Sequence, residues 1–179
     1  MIQKAFPSYL HKDATKIADF LQQNDPKNFK TIGTEVVCLN GEVLELPQRV
    51  YFGEFNTQNL TLVQEQMLNC LYLCHSNGHL REYYLRELLA VKEDFVLPFI
   101  AKLFGDYVIE IVEVLHRELP NNTRSLLKDF FNKNPRFKLR IESRITSYWD
   151  CFYKNTHPNF KKYIGYKLFQ SIINNQQIC

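Results

Sequence analysis

Apolar residues recur at two different spacings along this chain, and each spacing predicts a different kind of element. Between residues 34 and 46, a run of β-branched and aliphatic residues is interrupted by Asn40-Gly41. This dipeptide favours a two-residue hairpin loop, because a type I′ turn needs a positive φ at both central positions. We therefore predict a β-hairpin here, whose second strand is closed by Pro47.

Helical spacing dominates the rest of the chain. Residues 12–23 fit one short helix, which Asn24-Asp25-Pro26 ends. Thr61 and Gln64 have the spacing of a capping box, so a second helix is predicted to begin there. Turn and cap residues then predict further helix starts near Asn77, Asp94, Asp106, Asn121, Asn134 and Thr156. The predicted helices have about 11 to 19 residues, and their connections about 2 to 5.

Short connections between helices place consecutive helices side by side and antiparallel. The predicted fold is therefore mainly α, with antiparallel helix pairs preceded by a small N-terminal helix and the β-hairpin. The pairs can form either a short solenoid or a compact bundle. We expect residues 1–59 to be an appendage and residues 60–179 to be a helical domain, the two folding as one cooperative unit.

Two segments carry a resemblance to a known repeat family. PFIAKLFGDYVIEIVEVLHREL (98–119) resembles a HEAT-type repeat, with an early Pro, a tight turn containing Asp and a second helix; NGHLREYYLRELL (77–89) resembles the second helix of such a repeat, with Arg81 near its start. The resemblance covers about residues 60–154 and implies a solenoid surface that binds other molecules. The third helix pair departs from the pattern, because it lacks the turn Asp. The layout of LELPQRVYF (44–52) followed by helices is similar to that of uncharacterised bacterial proteins, which implies no function.

Composition narrows the class of protein. The chain has 179 residues, of which 45% are hydrophobic and 14% aromatic, so it can bury a core and is not a disordered chain. Its first twelve residues lack the long apolar run and cleavage site of a secretory signal, and no run is long enough for a transmembrane helix. Five cysteines, an odd number, fit free thiols better than a disulfide framework. We therefore expect a cytoplasmic protein that does not enter the membrane.

Charge is distributed unevenly along the sequence. Residues 60–119 hold 5 basic and 9 acidic residues, whereas residues 120–179 hold 11 basic and 3 acidic residues. A basic C-terminal third favours contact with an acidic protein surface, a nucleic acid or anionic lipid. The alternative is a basic surface that serves solubility or pairs with the acidic middle of the chain.

Three arginines form the most regular part of that basic third. Arg136, Arg140 and Arg144 lie at about 0°, 40° and 80° around the predicted helix. Its apolar stripe, between about 100° and 180°, consists of Ile141, Ile145, Tyr148, Trp149 and Phe152, and we expect Trp149 to be buried. Lys128 and Lys133 precede the arginines and complete the predicted partner-binding set. Arginine binds carboxylates and phosphates in a bidentate manner, but arginine stems can also lie along the edge of a core without a partner.

Candidate catalytic or metal-binding chemistry is sparse. Cys70, Cys74, His75 and His79 have the spacing C-x3-C-H-x3-H, and zinc prefers four such ligands in a tetrahedron. However, Cys70 and Cys74 lie on the apolar stripe of a helix, which favours buried thiols and two histidines near a turn. We therefore predict no metal site and no cofactor. The chain has no phosphate-binding glycine loop and no nucleophile motif, so no enzymatic activity is predicted.

The sequence thus favours a binding role. The first hypothesis is a non-catalytic protein-binding module, of the adaptor or the inhibitor and immunity type, whose partner presents an acidic patch. An inhibitor of a basic protein would instead use the acidic middle of the chain. The alternative is a nucleic-acid-binding protein that contacts phosphates through the basic third.

Overall fold

A computed structural model describes residues 2–174, which group into two compact units: residues up to Phe99, and residues from Ile100 onward. The fold is mainly α, as predicted. The helices are α1 (His11–Asn24), α2 (Leu62–Tyr72), α3 (Gly78–Leu89), α4 (Leu97–Leu103), α5 (Ile109–Glu118), α6 (Asn121–Lys133), α7 (Pro135–Tyr148) and α8 (Ile164–Asn174). Short 3-10 helices cover Ile2–Ala5, Ser8–Leu10, Asp94–Val96 and Phe160–Lys162. The domain boundary predicted after residue 59 was based on the change of sequence pattern there, and it stays a prediction.

The predicted hairpin is present in the first unit. Strands β1 (Lys30–Leu39) and β2 (Glu42–Tyr51) pair in antiparallel register, with Leu39 opposite Glu42. Asn40 and Gly41 have φ values of 51° and 86°, which are the positive values that the turn requires. The strands alternate between buried and exposed residues, so one face of the hairpin packs on the helices. The other face exposes Ile32, Val36 and Val43, which are 50%, 60% and 69% exposed.

The prediction that Pro47 closes the second strand is wrong. Pro47 lies inside β2 opposite Thr34, and the strand continues to Tyr51. The outer edge of β2 is paired at Val50, because Val50 N–H donates to the Cys74 carbonyl at 3.0 Å and Ser76 N–H donates to the Val50 carbonyl at 3.2 Å. This short parallel bridge joins the end of the hairpin to the bend between α2 and α3.

Helix α2 begins at the predicted capping box. The Thr61 side chain accepts from Gln64 N–H, and the Gln64 side chain accepts from Thr61 N–H. The buried face of α2 contacts α1, and α2 packs against α3 as the first predicted helix pair. Phe6 stacks on Phe99 and meets Phe95 edge-on, so the N-terminal 3-10 helices belong to the same core.

The second unit is a helical bundle. Helices α6 and α7 pack together as a predicted pair, and α8 packs against α5, α6 and α7. In a linear solenoid each repeat contacts only its neighbours, whereas here the last helix lies against three earlier ones. Of the two predicted arrangements, a short solenoid or a compact bundle, the second unit has the compact bundle. An aromatic cluster fills its centre, where Phe131 contacts Phe104, Phe137 and Phe169.

The helices of the second unit end differently from the prediction. Helix α7 ends at Tyr148 and passes into a π-helical turn, Trp149–Tyr153. Trp149 is therefore only half-buried, and Phe152 is 61% exposed, so both were wrongly predicted to belong to the apolar stripe. The last helix begins at Ile164 rather than near Thr156. Several helices are also shorter than predicted, since α4 has 7 residues and α5 has 10.

Two further observations concern residues 2–174. No helix there combines the length and apolar character needed to cross a bilayer. The four cysteines in this range, Cys38, Cys70, Cys74 and Cys151, are all free thiols, whereas Cys179 lies outside the described residues.

Candidate partner-binding surface

Helix α7 carries the predicted arginines, and its buried face fixes its orientation. Pro135 occupies the first turn, where its missing N–H leaves no hydrogen bond unmade. Phe137, Ile141 and Ile145 are 2%, 0% and 4% exposed and face the core of the bundle. Asn134 precedes the first residue of this helix, as predicted, and its carbonyl accepts from Lys138 N–H at 2.9 Å. Its side-chain amide donates to the Phe130 carbonyl at 2.9 Å, so Asn134 also closes α6. The side of α7 opposite the buried face is open to solvent.

The three arginines have different environments. Arg136 and Arg140 are exposed, and Arg136 makes no ion pair or side-chain hydrogen bond within residues 2–174. Arg144 is half-buried, and its stem lies against Gly105, where an added Cβ would lie 3.2 Å from both Arg144 Cβ and Cδ. Arg144 therefore packs along the edge of the core, whereas Arg136 and Arg140 point outward.

The two predicted lysines do not share the arginine face. Lys128 is half-buried in the middle of α6, and Lys133 is exposed at its end. The two positions are separated by about 140° around α6, so they cannot form one continuous row. The structure thus reduces the predicted basic ridge to Arg136 and Arg140 on the outward side of α7, with Lys133 at the adjoining end of α6.

Sequence reasoning missed the apolar part of this surface. Leu139 is 65% exposed and lies about 60° from Arg136 on the side away from the buried stripe. Ser143 and Ser147 are exposed and lie within about 20° of Arg136 in the same projection. We call Arg136, Leu139, Arg140, Ser143 and Ser147 the outward face of α7. The helical projection used to find the arginines also places Leu139 beside them, so this signal was available in the sequence.

One basic residue of the C-terminal third serves structure instead of binding. The Arg124 guanidinium donates to the His116 carbonyl at 3.2 Å and to Ser171 Oγ at 3.5 Å. These contacts join α6 to α5 and α8, and partial burial lowers the pKa of the Arg124 guanidinium. Arg124 is therefore a structural link, and its charge is not part of the outward face of α7.

The possible zinc ligands do not converge. Cys70 and Cys74 are fully buried, and burial raises the pKa of the Cys70 thiol well above its ordinary value, which opposes the thiolate that zinc needs. Both nitrogens of His75 are occupied, since Nε2 donates to the Phe52 carbonyl at 2.8 Å and Nδ1 accepts from Asn77 N–H at 2.9 Å. His79 is exposed on α3. Within residues 2–174 no group of three or more His, Cys, Asp or Glu side chains is arranged to hold a metal ion.

The burial and the hydrogen bonds of His75 predict how the stability of the chain depends on pH. Burial lowers the pKa of His75, with the Arg81 charge adding to the effect and the Phe52 carbonyl opposing it. The unfolded chain, with a histidine pKa near 6.5, then binds the proton more readily than the folded chain. Neutral His75 therefore makes its full contribution to the free energy of unfolding above about pH 6.5. We expect that contribution to be lost as the pH falls towards the lowered pKa of His75 in the folded chain.

Urea unfolding between pH 5 and 7.5 checks this prediction. The His75→Gln variant should lose part of the acid destabilisation, whereas the matched His79→Gln variant should follow the parent chain. His116 also has a pKa lowered by burial, so the His75→Gln profile should be flatter than that of the parent but not level. Identical pH profiles for the parent chain and His75→Gln would contradict the prediction.

The comparisons with known proteins leave the function to be argued from this geometry. Searches of protein-family models, of curated proteins and of solved structures found no match to this chain. The fold defines a mainly α protein with an N-terminal hairpin, and the site defines a helix face that combines two arginines with an exposed leucine.

Proposed function

We propose that this chain is a non-catalytic protein-binding module, of the adaptor or inhibitor class. Its contact surface is the outward face of α7, and its partner presents carboxylates around an apolar recess. The observation that carries the proposal is Leu139, which is 65% exposed beside two outward arginines. Protein interfaces are enriched in arginine and centred on apolar anchors, and this face combines an exposed leucine with two arginines.

The net positive charge of the second unit supports an acidic partner. Residues 100–174 hold 13 Lys and Arg against 7 Asp and Glu, so the field around α7 attracts negative surfaces. Arg136 has no ion-pair partner within residues 2–174, and its guanidinium is therefore available for a bidentate contact with a carboxylate. The rigid helix holds Arg136 and Arg140 one turn apart, about 6 Å along the axis.

A nucleic-acid partner is the second candidate, and one observation favours it. Phe152 is 61% exposed just beyond the end of α7, and Lys154 lies over the Trp149 ring at 5.7 Å. Exposed aromatic rings beside basic residues can stack on bases while the cations contact phosphates. We place this candidate second because the outward face itself presents Leu139, which phosphates do not recognise.

A matched pair of charge reversals tests the protein-binding proposal. The first variant carries Arg136→Glu and Arg140→Glu on the outward face; the control carries Lys12→Glu and Lys16→Glu, which are exposed on α1 and change the net charge equally. Each immobilised chain is exposed to host lysate with and without nuclease treatment, and the retained material is quantified. We expect one acidic protein to be retained by the parent and the control, and to fall at least about tenfold with the face variant.

The same experiment separates the two candidates. Equal retention by the parent chain and the face variant would refute the outward face as the contact. Material lost on nuclease treatment would instead support nucleic acid, and titration with single-stranded oligonucleotides would then show a log–log salt slope near −1.4 if Arg136 and Arg140 each contact one phosphate. A third variant, Leu139→Ser, keeps both arginines and should weaken only the protein complex.

A further inference from the structure

A cavity of about 140 Å³ lies within the second unit. Its lining residues come from α7, α8 and the 3-10 helix before α8, and they are Glu142, Ile145, Thr146, Phe160, Tyr166, Phe169 and Gln170. Ile145 and Phe169 are buried and form the floor, whereas Thr146 is exposed at the rim. Glu142 lies about 120° around α7 from Arg136 but only three residues from Leu139, so the cavity adjoins the outward face without sharing a residue with it.

The aromatic wall of this cavity is held in place by its neighbours. Phe160 lies between two rings, with centroid distances of 4.7 Å to Tyr166 and 5.0 Å to Trp149. Trp149 Nε1 donates to the His157 carbonyl at 2.8 Å, which fixes the segment that leads to Phe160. The Asn159 side chain caps the 3-10 helix by accepting from Lys161 N–H at 3.0 Å. A wall fixed before binding reduces the entropy lost when a ligand enters.

Glu142 is the charged residue of the lining, which also includes the polar side chains of Thr146 and Gln170. Within residues 2–174 the Glu142 carboxylate has no hydrogen-bond or ion-pair partner, although Lys138 stands one turn before it on α7. Gln170 Oε1 already accepts from Asn174 Nδ2 at 2.7 Å. A carboxylate and two aromatic rings in one lining form a combination that attracts an organic cation, since aromatic faces carry negative potential.

The cavity volume sets the size of that cation. Apolar cavities of about 150 Å³ hold one benzene molecule, and a trimethylammonium group is of similar size. An anion would be repelled by Glu142, and a neutral apolar group would remove water from the carboxylate without replacing its hydrogen bonds. A weakly hydrated ammonium group satisfies both the carboxylate and the rings.

We propose that this cavity binds a quaternary or methylated ammonium group, with Glu142 pairing with its charge and Phe160 and Tyr166 covering its methyl groups. The group can belong to a small molecule such as choline or to a methylated lysine side chain of a partner. The proposal does not depend on the outward face of α7, because it uses none of the residues on that face. Failure of one proposal therefore leaves the other standing.

Titration of the full chain with three probes tests the inference. The probes are choline, its uncharged isostere 3,3-dimethylbutan-1-ol, and a short Gly- and Ser-flanked peptide carrying one trimethyl-lysine. Binding is followed by NMR chemical shifts of the pocket residues and by calorimetry. We expect saturable binding of choline or the peptide, with the uncharged alcohol weaker by at least about tenfold. A tighter peptide would indicate a methylated protein as the source of the group, and tighter choline would indicate a small molecule.

Two variants and one control decide whether the named residues are responsible. Glu142→Gln keeps the shape of the pocket and should weaken the cation several-fold, whereas Glu110→Gln, an exposed carboxylate on α5, should change nothing. Phe160→Leu keeps an apolar wall and should also weaken the cation, without weakening the alcohol equally. The inference is overturned if neither cation saturates, if the alcohol binds as tightly as choline, or if Glu142→Gln binds choline like the parent chain.

Discussion

Replacing Arg81 with methionine is expected to lower the free energy of unfolding by about 3 kcal/mol. Arg81 is a fully buried side chain at 0% exposure, and its Nη1 donates to the His75 carbonyl at 2.8 Å and to the Ser76 carbonyl at 3.0 Å. Methionine fills most of the same space but donates no hydrogen bond. Both carbonyls would then lose a charged donor in the bend between α2 and α3.

A second arginine of the same helix is the control for Arg81. Arg86 pairs with Glu82 one turn away at 2.9 Å, and its side chain is 41% exposed. An exposed pair of this kind contributes little, so Arg86→Met should cost less than about 1 kcal/mol. Urea unfolding of the two variants measures the difference. Equal losses would show that the contacts of Arg81 to the bend do not stabilise the first unit.

The elements that were predicted correctly are those determined by neighbouring residues. Asn40-Gly41 fixes the hairpin because positive φ is a property of the turn itself, and the register follows from the turn. Thr61 and Gln64 form the capping box for the same reason, since both partners lie within four residues. Neither feature depends on how distant parts of the chain pack.

The π-helical turn shows where helical periodicity stops being informative. The helical projection assumed a rotation of about 100° per residue for Tyr148 and for the residues after it. This assumption placed Trp149 and Phe152 on the buried stripe. The turn Trp149–Tyr153 has more residues per turn, so the positions after Tyr148 rotate out of that register. The hydrogen bond from Trp149 to the His157 carbonyl accompanies this change, and the sequence gives no local sign of it.

Side chains whose role depends on how the chain bends and packs were also beyond the sequence. Arg81 could be placed near the start of a helix but not at the centre of a core, because the carbonyls of His75 and Ser76 face its guanidinium only once the bend between α2 and α3 has formed. The packing of Arg144 depends on Gly105, which lies in another turn of the bundle. Leu139 is different, because the helical projection places it beside the arginines and away from the apolar stripe, so its exposure could have been predicted from the sequence.

Truncation of Phe131 to alanine should be the most damaging single change in the second unit. Phe131 is fully buried and meets four rings, those of Phe104, Phe130, Phe137 and Phe169, at centroid distances of 5.7, 6.1, 6.1 and 5.2 Å. Removing a phenylalanine from such a site costs about 3–5 kcal/mol, because the apolar surface is lost and a cavity remains. The rings come from four different segments, so the cavity cannot be closed by moving one helix.

Hydrogen exchange of the Phe131→Ala variant measures both the size and the extent of this effect. Amides of α6, α7 and α8 should lose protection, whereas Leu126→Ala, at a position 53% exposed on the same helix, should leave protection within about 0.5 kcal/mol of the parent. If the chain folds as one cooperative unit, the amides of α2 and α3 should lose protection together with those of the bundle. Loss confined to residues after Ile100 would instead show two units that unfold separately, and unchanged protection everywhere would contradict the central role of Phe131.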